Sequence, residues 1–197
     1  DTITVAGGTE TVYIDTLGGY NSITGATVAT DNLFLSEDGS TVATDGATAV
    51  IGAVTAATPA DGSAYDFTAA IATNAADLFE IEAADSDSVD QVTLEDDKAA
   101  ASNGTALFKA LVDDLGDATD TISSITVSTA GDKFYAVAYD NGDAYIYFLD
   151  SAKVVNDASV TVNEVELVAF IDTVTADAFA SDANTAMRDL TDLDATY

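Results

Sequence analysis

The sequence predicts a mainly β protein with sandwich-like antiparallel sheets, one amphipathic helix near residues 104–115 and a short C-terminal helix. Residues 133–149 form two arms rich in aromatic and β-branched residues around the pair Asn141-Gly142. This is typical of a β-hairpin, because a primed turn needs positive φ at both central positions. Asp-Gly pairs and short runs of Val, Thr and Ile recur along residues 31–58, which favours further hairpins. The hydrophobic fraction of 48% argues against a disordered chain.

The N-terminal residues contain two similar segments. Gly7-Gly8 and Gly18-Gly19 are each followed by three polar or turn-compatible residues and an aliphatic one. Either the aliphatic residues stack in successive short strands, or these are two ordinary turns of a β-meander.

The chain is predicted to divide near its only proline, Pro59, which lies in the turn-rich segment 57–63. Residues 1–58 would form a small N-terminal β unit and residues 64–187 the main β-rich domain. Residues 188–197 would form a flexible tail.

Within the main domain, residues 64–83 are interpreted as two strands because apolar and polar residues alternate, although a helical face fits part of this stretch. Residues 102–116 predict the clearest helix, with Ser102 or Asn103 as its cap and Gly116 at its end. Its apolar residues fall on one face: Leu107, Phe108, Leu111, Val112 and Leu115.

The last elements are a strand and a helix. Residues 160–171 alternate as in a strand. A short helix is then predicted to begin at Thr175 and to carry four apolar residues: Ala178, Phe179, Ala183 and Met187.

The charge limits the possible partners. The chain has 35 acidic and five basic residues, for a net charge of −30. Such a chain repels nucleic acid and anionic membranes, so neither is expected as a partner, and no apolar run is long enough for membrane insertion. Calcium binding, a saline habitat and passage through a secretion channel in an unfolded state all fit this charge.

An enzymatic role is not expected. The sequence contains neither cysteine nor histidine, which removes thiolate chemistry, the usual general base and the usual zinc ligands. Two carboxylates could serve a glycosidase, but nothing in the sequence selects a pair.

The order of elements resembles the C-terminal regions of type I-secreted bacterial surface proteins, namely RTX-type calcium-binding adhesins and S-layer-like proteins. The resemblance covers residues 65–180 and rests on the helix at 105–115, the aromatic hairpin at 132–148, the stretch 164–172 and the final Thr175-Ala176-Asp177-Ala178-Phe179. It implies an extracellular or cell-surface location, a calcium-rich setting and a structural or adhesive role.

The paired glycines depart from the RTX nonapeptide pattern where the ion would bind. The fourth-position glycine is Glu10 in one segment and Asn21 in the other, and the sixth-position Asp is Val12 or Ile23. The resemblance therefore places no calcium ligands in these two segments.

Acidic clusters elsewhere are the candidate calcium ligands, because Ca²⁺ takes six to eight oxygen ligands. A further cluster is Glu95-Asp96-Asp97, and each cluster has the alternative of being a solvated charged loop. The predicted ligands are Asp85, Asp87, Asp90, Asp113, Asp114, Asp117, Asp140, Asn141 and Asp143.

The function that we expect is an extracellular self-assembling structural protein, such as an S-layer, fibre or matrix subunit, that depends on calcium. An adhesin or glycan-binding module and a viral tube or shell subunit are the alternatives. The expected partner is another copy of the chain, joined by strand addition through Thr2–Val5 and Val12–Ile14. The tyrosines between 135 and 147 could form a sugar-binding platform, or they could be core and cross-strand residues.

Overall fold

A computed structural model describes residues 1–8, 10–14, 20–27, 31–35, 51–54, 60–68, 78–81, 94–99, 104–112, 120–174 and 187–189. Its strands are β1 (Thr2–Thr4), β2 (Thr11–Ile14), β3 (Asn21–Thr24), β4 (Asn32–Leu35), β5 (Ile51–Val54), β6 (Ala64–Asp66), β7 (Leu78–Ile81), β8 (Ser124–Thr126), β9 (Lys133–Asp140), β10 (Asp143–Asp150), β11 (Ser159–Val160), β12 (Val165–Ile171) and β13 (Met187–Asp189). One α-helix, α1 (Thr105–Ala110), and two 3-10 helices, Leu94–Lys98 and Val162–Glu164, complete the described elements.

The predicted hairpin is confirmed and lies at the centre of the largest sheet. Strands β9 and β10 pair along their whole length, from Asp140 opposite Asp143 to Lys133 opposite Asp150. The turn has φ of 53° at Asn141 and 83° at Gly142, the two positive angles that a type I′ turn requires.

Both faces of this hairpin are buried, because successive side chains of a strand point to opposite faces of the sheet. One face packs in a cluster with α1, β6 and β8, and the other packs with residues of β2 and β3. A sheet covered on both sides requires the near-continuous apolar runs that β9 and β10 carry. The first cluster receives Phe134, Ala136, Ala138, Tyr145, Tyr147 and Leu149, and the second receives Tyr135, Val137, Tyr139, Ala144, Ile146 and Phe148.

The β content is confirmed, but the expectation of antiparallel sheets is wrong. The largest sheet has the strand order β1-β3-β12-β10-β9-β7-β5, and only the two pairings of β10 are antiparallel. The smaller sheets, β11-β8-β6 and β13-β4-β2, are also mixed or parallel. Apart from β9 and β10, described strands that follow one another in sequence, such as β1 and β2, belong to different sheets, so the turns between them do not produce hairpins.

Strands from both sides of the predicted boundary at 57–63 share the largest sheet. β1, β3 and β5 come from residues 1–58, whereas β7, β9, β10 and β12 come from residues 64–187. The two predicted strands within 64–83 are present as β6 and β7.

Within the predicted helix near 104–115, the structure has a short α-helix, α1, that begins at Thr105 and ends at Ala110. Leu111 and Val112 follow this helix, and residues 113–115 lie outside the described residues. Its N-cap is Gly104, in the left-handed conformation with φ of 74°. The predicted caps Ser102, Asn103 and Gly116 lie outside the described residues.

The predicted C-terminal helix does not include Met187, the last residue that was assigned to it. Met187 begins β13, which pairs in parallel with β4. Residues 175–186 lie outside the described part, as do residues 190–197 of the predicted tail. Within the described residues, no helix has the length and apolarity to cross a membrane.

Candidate functional site

The hairpin tip holds the three predicted calcium ligands that the structure describes. Asp140 is 6% exposed and its carboxylate accepts hydrogen bonds from the Leu94 backbone N–H at 2.9 Å and from Asn141 Nδ2 at 2.8 Å. Asp143 accepts the Thr173 N–H at 2.9 Å. These carboxylates therefore tie the turn to neighbouring segments.

The 3-10 helix Leu94–Lys98 packs beside this hairpin through a buried carboxylate. Asp97 is 1% exposed, and its oxygens accept the N–H groups of Ala106 at 2.8 Å and Leu107 at 3.0 Å. The Tyr147 hydroxyl donates to the same carboxylate at 3.1 Å. Asp97 is thus the acceptor that the first turn of α1 needs, since Gly104 has no side chain to supply one. Burial raises the pKa of Asp97 above its usual value, although these hydrogen bonds favour the charged form.

A lysine lies over the same side of the hairpin. Lys98 forms an ion pair with Glu95, and its ammonium lies 3.2 Å from the centre of the Phe170 ring. Glu95 also accepts the Tyr145 hydroxyl at 3.2 Å. Burial raises the pKa of Tyr145 far above its usual value, and the charge of Glu95 raises it further. Tyr145 therefore remains a neutral hydrogen-bond donor.

The structure thus brings two acidic segments of the sequence together, Glu95-Asp96-Asp97 and the tip at Asp140–Asp143. Among the described residues, no group of three or more His, Cys, Asp or Glu side chains is placed so that it could hold a metal ion. The other predicted ligands lie outside the described residues: Asp85, Asp87, Asp90, Asp113, Asp114 and Asp117.

Two carboxyl groups that the sequence analysis did not select meet near the N-terminus. Asp31 is 6% exposed and accepts the backbone N–H groups of Glu10 at 3.1 Å and Thr27 at 2.7 Å. The side chain of Glu10 also hydrogen-bonds to Asp31, and its other oxygen, Oε2, is buried without a hydrogen-bond partner in the described structure. No spacing rule links residues 21 positions apart, so the pair could be found only from the fold.

This contact moves the two pKa values in opposite directions. Burial raises the pKa of Glu10, and the hydrogen bond and charge of Asp31 raise it further. Burial also acts to raise the pKa of Asp31, but hydrogen bonds from the backbone of Thr27 and Glu10 outweigh it and lower the value. Glu10 therefore accepts the proton more readily than Asp31 does.

At the far end of the hairpin, Glu164 organises an ordered loop. Its carboxylate accepts the N–H groups of Val154 and Val155 at 3.1 Å each, and the N–H of Thr161 at 2.7 Å. The Thr161 hydroxyl donates to the same carboxylate at 2.8 Å. The loop presents Val154 and Val155 to solvent at 60% and 58% exposure.

The hairpin tyrosines belong to the core. Tyr135, Tyr139, Tyr145 and Tyr147 are all 6% exposed or less. They cannot form a flat platform for a sugar, which needs an accessible ring face. The interpretation of these residues as core and cross-strand partners is confirmed.

Comparisons with protein-family models, with curated proteins and with solved structures find no match to this chain.

Proposed function

We propose that this chain is an extracellular structural protein whose copies assemble into an S-layer, fibre or matrix, and that calcium promotes the assembly. The observation that carries the proposal is the form of the largest sheet. Its central hairpin is buried on both faces, while its first edge strand, β1, is accessible. Such a sheet can gain partners at its edges without exposing its core.

The charge of the chain supports a dependence on cations. Two copies that each carry a net charge of −30 repel one another in dilute salt. Monovalent ions screen this repulsion, whereas calcium can also bind carboxylate oxygens. Cations would therefore act as the switch between separate copies and an assembly.

The proposal includes a non-enzymatic role, which the chemistry of the side chains supports. The chain has no histidine or cysteine, and the buried carboxylates Asp97, Asp140 and Glu164 all accept hydrogen bonds from backbone groups. These carboxylates stabilise the fold and are not free to move a proton to a substrate.

Electron microscopy and sedimentation of the purified protein test the proposal. We expect separate copies in chelator and ordered polymers in calcium chloride. Sodium chloride and magnesium chloride at matched ionic strength are the controls. A protein that stays monomeric at high concentration in every salt would contradict the proposal. The same amount of polymer in sodium chloride as in calcium chloride would show that general screening of charge, and not calcium binding, promotes the assembly.

A further inference from the structure

The largest sheet ends in two strands, β1 and β5, that each have one neighbour among the described strands. β1 pairs with β3 and β5 pairs with β7, and both pairings are parallel. The two ends of the sheet therefore have the same kind of ladder.

No described strand pairs with the outer side of β1. In a parallel ladder, alternate residues of one strand bond to the same neighbour. The Asp1 carbonyl accepts the Ser22 N–H at 2.7 Å, and the Val5 N–H donates to the Thr24 carbonyl at 2.9 Å. Residues 1, 3 and 5 consequently face β3, and the backbone groups of Thr2 and Thr4 point away from it. Both threonines are exposed.

Of the features that usually prevent strand pairing, this edge has a short length of three residues, but it has no lysine, no proline and no bulge. The strand reads Thr-Ile-Thr, the only proline of the chain is Pro59, and the first basic residue is Lys98. The short ladder and the repulsion between acidic copies are the remaining barriers, and cations screen the repulsion.

The directions of the strands identify the partner. Following the pairings from β1 to β5, every strand of the largest sheet runs in one direction except β10. A second copy in the same orientation would therefore bring its β5 beside β1 as a parallel pair. A contact between β1 and β1 would need a two-fold axis and would stop at a dimer.

We propose that a second copy of this chain adds its β5, Ile51–Val54, to the outer edge of β1, Thr2–Thr4, so that the seven-stranded sheets continue from copy to copy. This contact rests on the proposed self-assembly and names its site. Each added copy again presents a free β1, and because sheets twist, the copies follow a screw that gives an open filament. The ladder is short, so assembly needs high protein concentration and cations.

The first test blocks the outer edge. Thr4→Pro removes the outward N–H of β1 but none of its bonds to β3, and proline is tolerated in edge strands. It also removes the hydrogen bond of 3.4 Å between the hydroxyls of Thr24 and Thr4. Thr24→Val removes that bond alone and is the matched control.

We expect Thr4→Pro to raise the protein concentration needed for sedimentable polymers in calcium chloride by about tenfold or more. Thr24→Val should stay within about twofold of the wild type. Circular dichroism checks that both variants are folded. Equal assembly by the wild type and a folded Thr4→Pro variant would overturn the proposed contact.

The second test does not depend on proline, and it uses the absence of cysteine from the chain. Neighbouring strands lie about 4.8 Å apart, within the Cα separation that a disulfide allows. A Thr2→Cys variant is oxidised in three separate samples: alone, mixed with Gly52→Cys, and mixed with Ala53→Cys. The two mixtures test two registers of β1 against β5. Disulfide-linked dimers that form only in a mixture support the proposal.

The outcomes separate the contact from the function. Linked dimers of Thr2→Cys alone would mean that β1 pairs with β1, and would overturn the proposal. Polymers without linkage in either mixture would overturn the contact and leave self-assembly standing. A wild-type protein that forms no polymer in any salt would overturn both.

Discussion

The Tyr147 hydroxyl donates a hydrogen bond to the Asp97 carboxylate at 3.1 Å, and both residues are almost completely buried, at 0% and 1% exposure. This bond joins the central hairpin to the segment that caps α1. Because Asp97 also accepts two N–H groups of α1, one carboxylate fixes the helix, the 3-10 helix and β10 relative to one another.

Asp97→Asn should lower the free energy of unfolding by about 1–3 kcal/mol, because the amide nitrogen cannot accept the buried donors. Tyr147→Phe should have a smaller effect, and the two changes should be less than additive because the side chains are in contact. Chemical denaturation of the single and double variants measures this coupling. Asp96→Asn, at an exposed position of the same turn, is the control, and an equal loss in both Asn variants would contradict the role of Asp97.

Gly104→Ala should destabilise the protein more than Gly62→Ala does. Both glycines have positive φ, 74° and 69°, so each alanine pays the left-handed strain of about 1–2 kcal/mol. At Gly104 the new Cβ would also lie 2.7 Å from Val165 Cβ, whereas at Gly62 nothing lies within 4 Å. The collision should add about 1–3 kcal/mol. Thermal unfolding of the two variants measures the difference, and equal losses would show that the Val165 contact relaxes freely.

Local patterns predicted the parts of the fold that depend on neighbouring residues. The turn at Asn141-Gly142 needs only its own two backbone conformations, and the apolar face of α1 needs only helical spacing. The parallel pairing of β1 with β3 depends instead on where β2 is placed, and no local rule places it.

In the candidate site, too, the sequence predicted local features, and contacts between distant segments appeared only in the structure. Acidic density marked Glu95-Asp96-Asp97 and the tip at Asp140–Asp143, but it could not show that backbone donors use Asp97 and Asp140. The contact between Glu10 and Asp31 joins segments that the fold alone brings together. Composition thus located acidic segments, and only the structure assigned their partners.

Glu164→Gln should destabilise the loop that carries Val154 and Val155, with a dependence on pH. Burial acts to raise the pKa of Glu164, but hydrogen bonds from Thr161, Val155 and Val154 outweigh it and hold the pKa below its ordinary value of 4.5. A group with a lowered folded pKa stabilises the protein above its unfolded pKa and loses that effect as the pH falls through the folded value. The difference in unfolding free energy between wild type and Glu164→Gln should therefore be largest at neutral pH and shrink below pH 4.5.

Urea unfolding at several pH values checks the Glu164 prediction. Glu166→Gln is the control, because Glu166 forms only a partly exposed ion pair with Lys153 at 3.4 Å, and such pairs contribute about 0–1 kcal/mol. A difference for Glu164→Gln that stays constant down to strongly acidic pH would contradict the assigned role of its charge.

Removal of calcium should lower the melting temperature if acidic segments bind the ion in the folded state. A ligand that binds only the folded chain stabilises it by about 2.7 kcal/mol at a concentration of 100 Kd. Differential scanning calorimetry in chelator, in calcium chloride and in sodium chloride of equal ionic strength measures the effect. Full recovery in sodium chloride would show screening of the net charge of −30 instead of ion binding.

Glu10→Gln should make the protein less sensitive to rising pH. Burial and the neighbouring Asp31 raise the pKa of Glu10, so its stabilising effect is present at acidic pH and is lost as the pH rises through the folded value. The neutral carboxyl can donate a hydrogen bond to Asp31, whereas the ionised one repels it. An amide donates at every pH, so the melting temperature of Glu10→Gln relative to the wild type should rise between pH 4 and pH 8, the range that brackets an elevated carboxyl pKa. The measurement is made in chelator, with Glu166→Gln as the control. A difference that is independent of pH would show that Glu10 does not exchange its proton in this range, and that its contact with Asp31 does not depend on its charge.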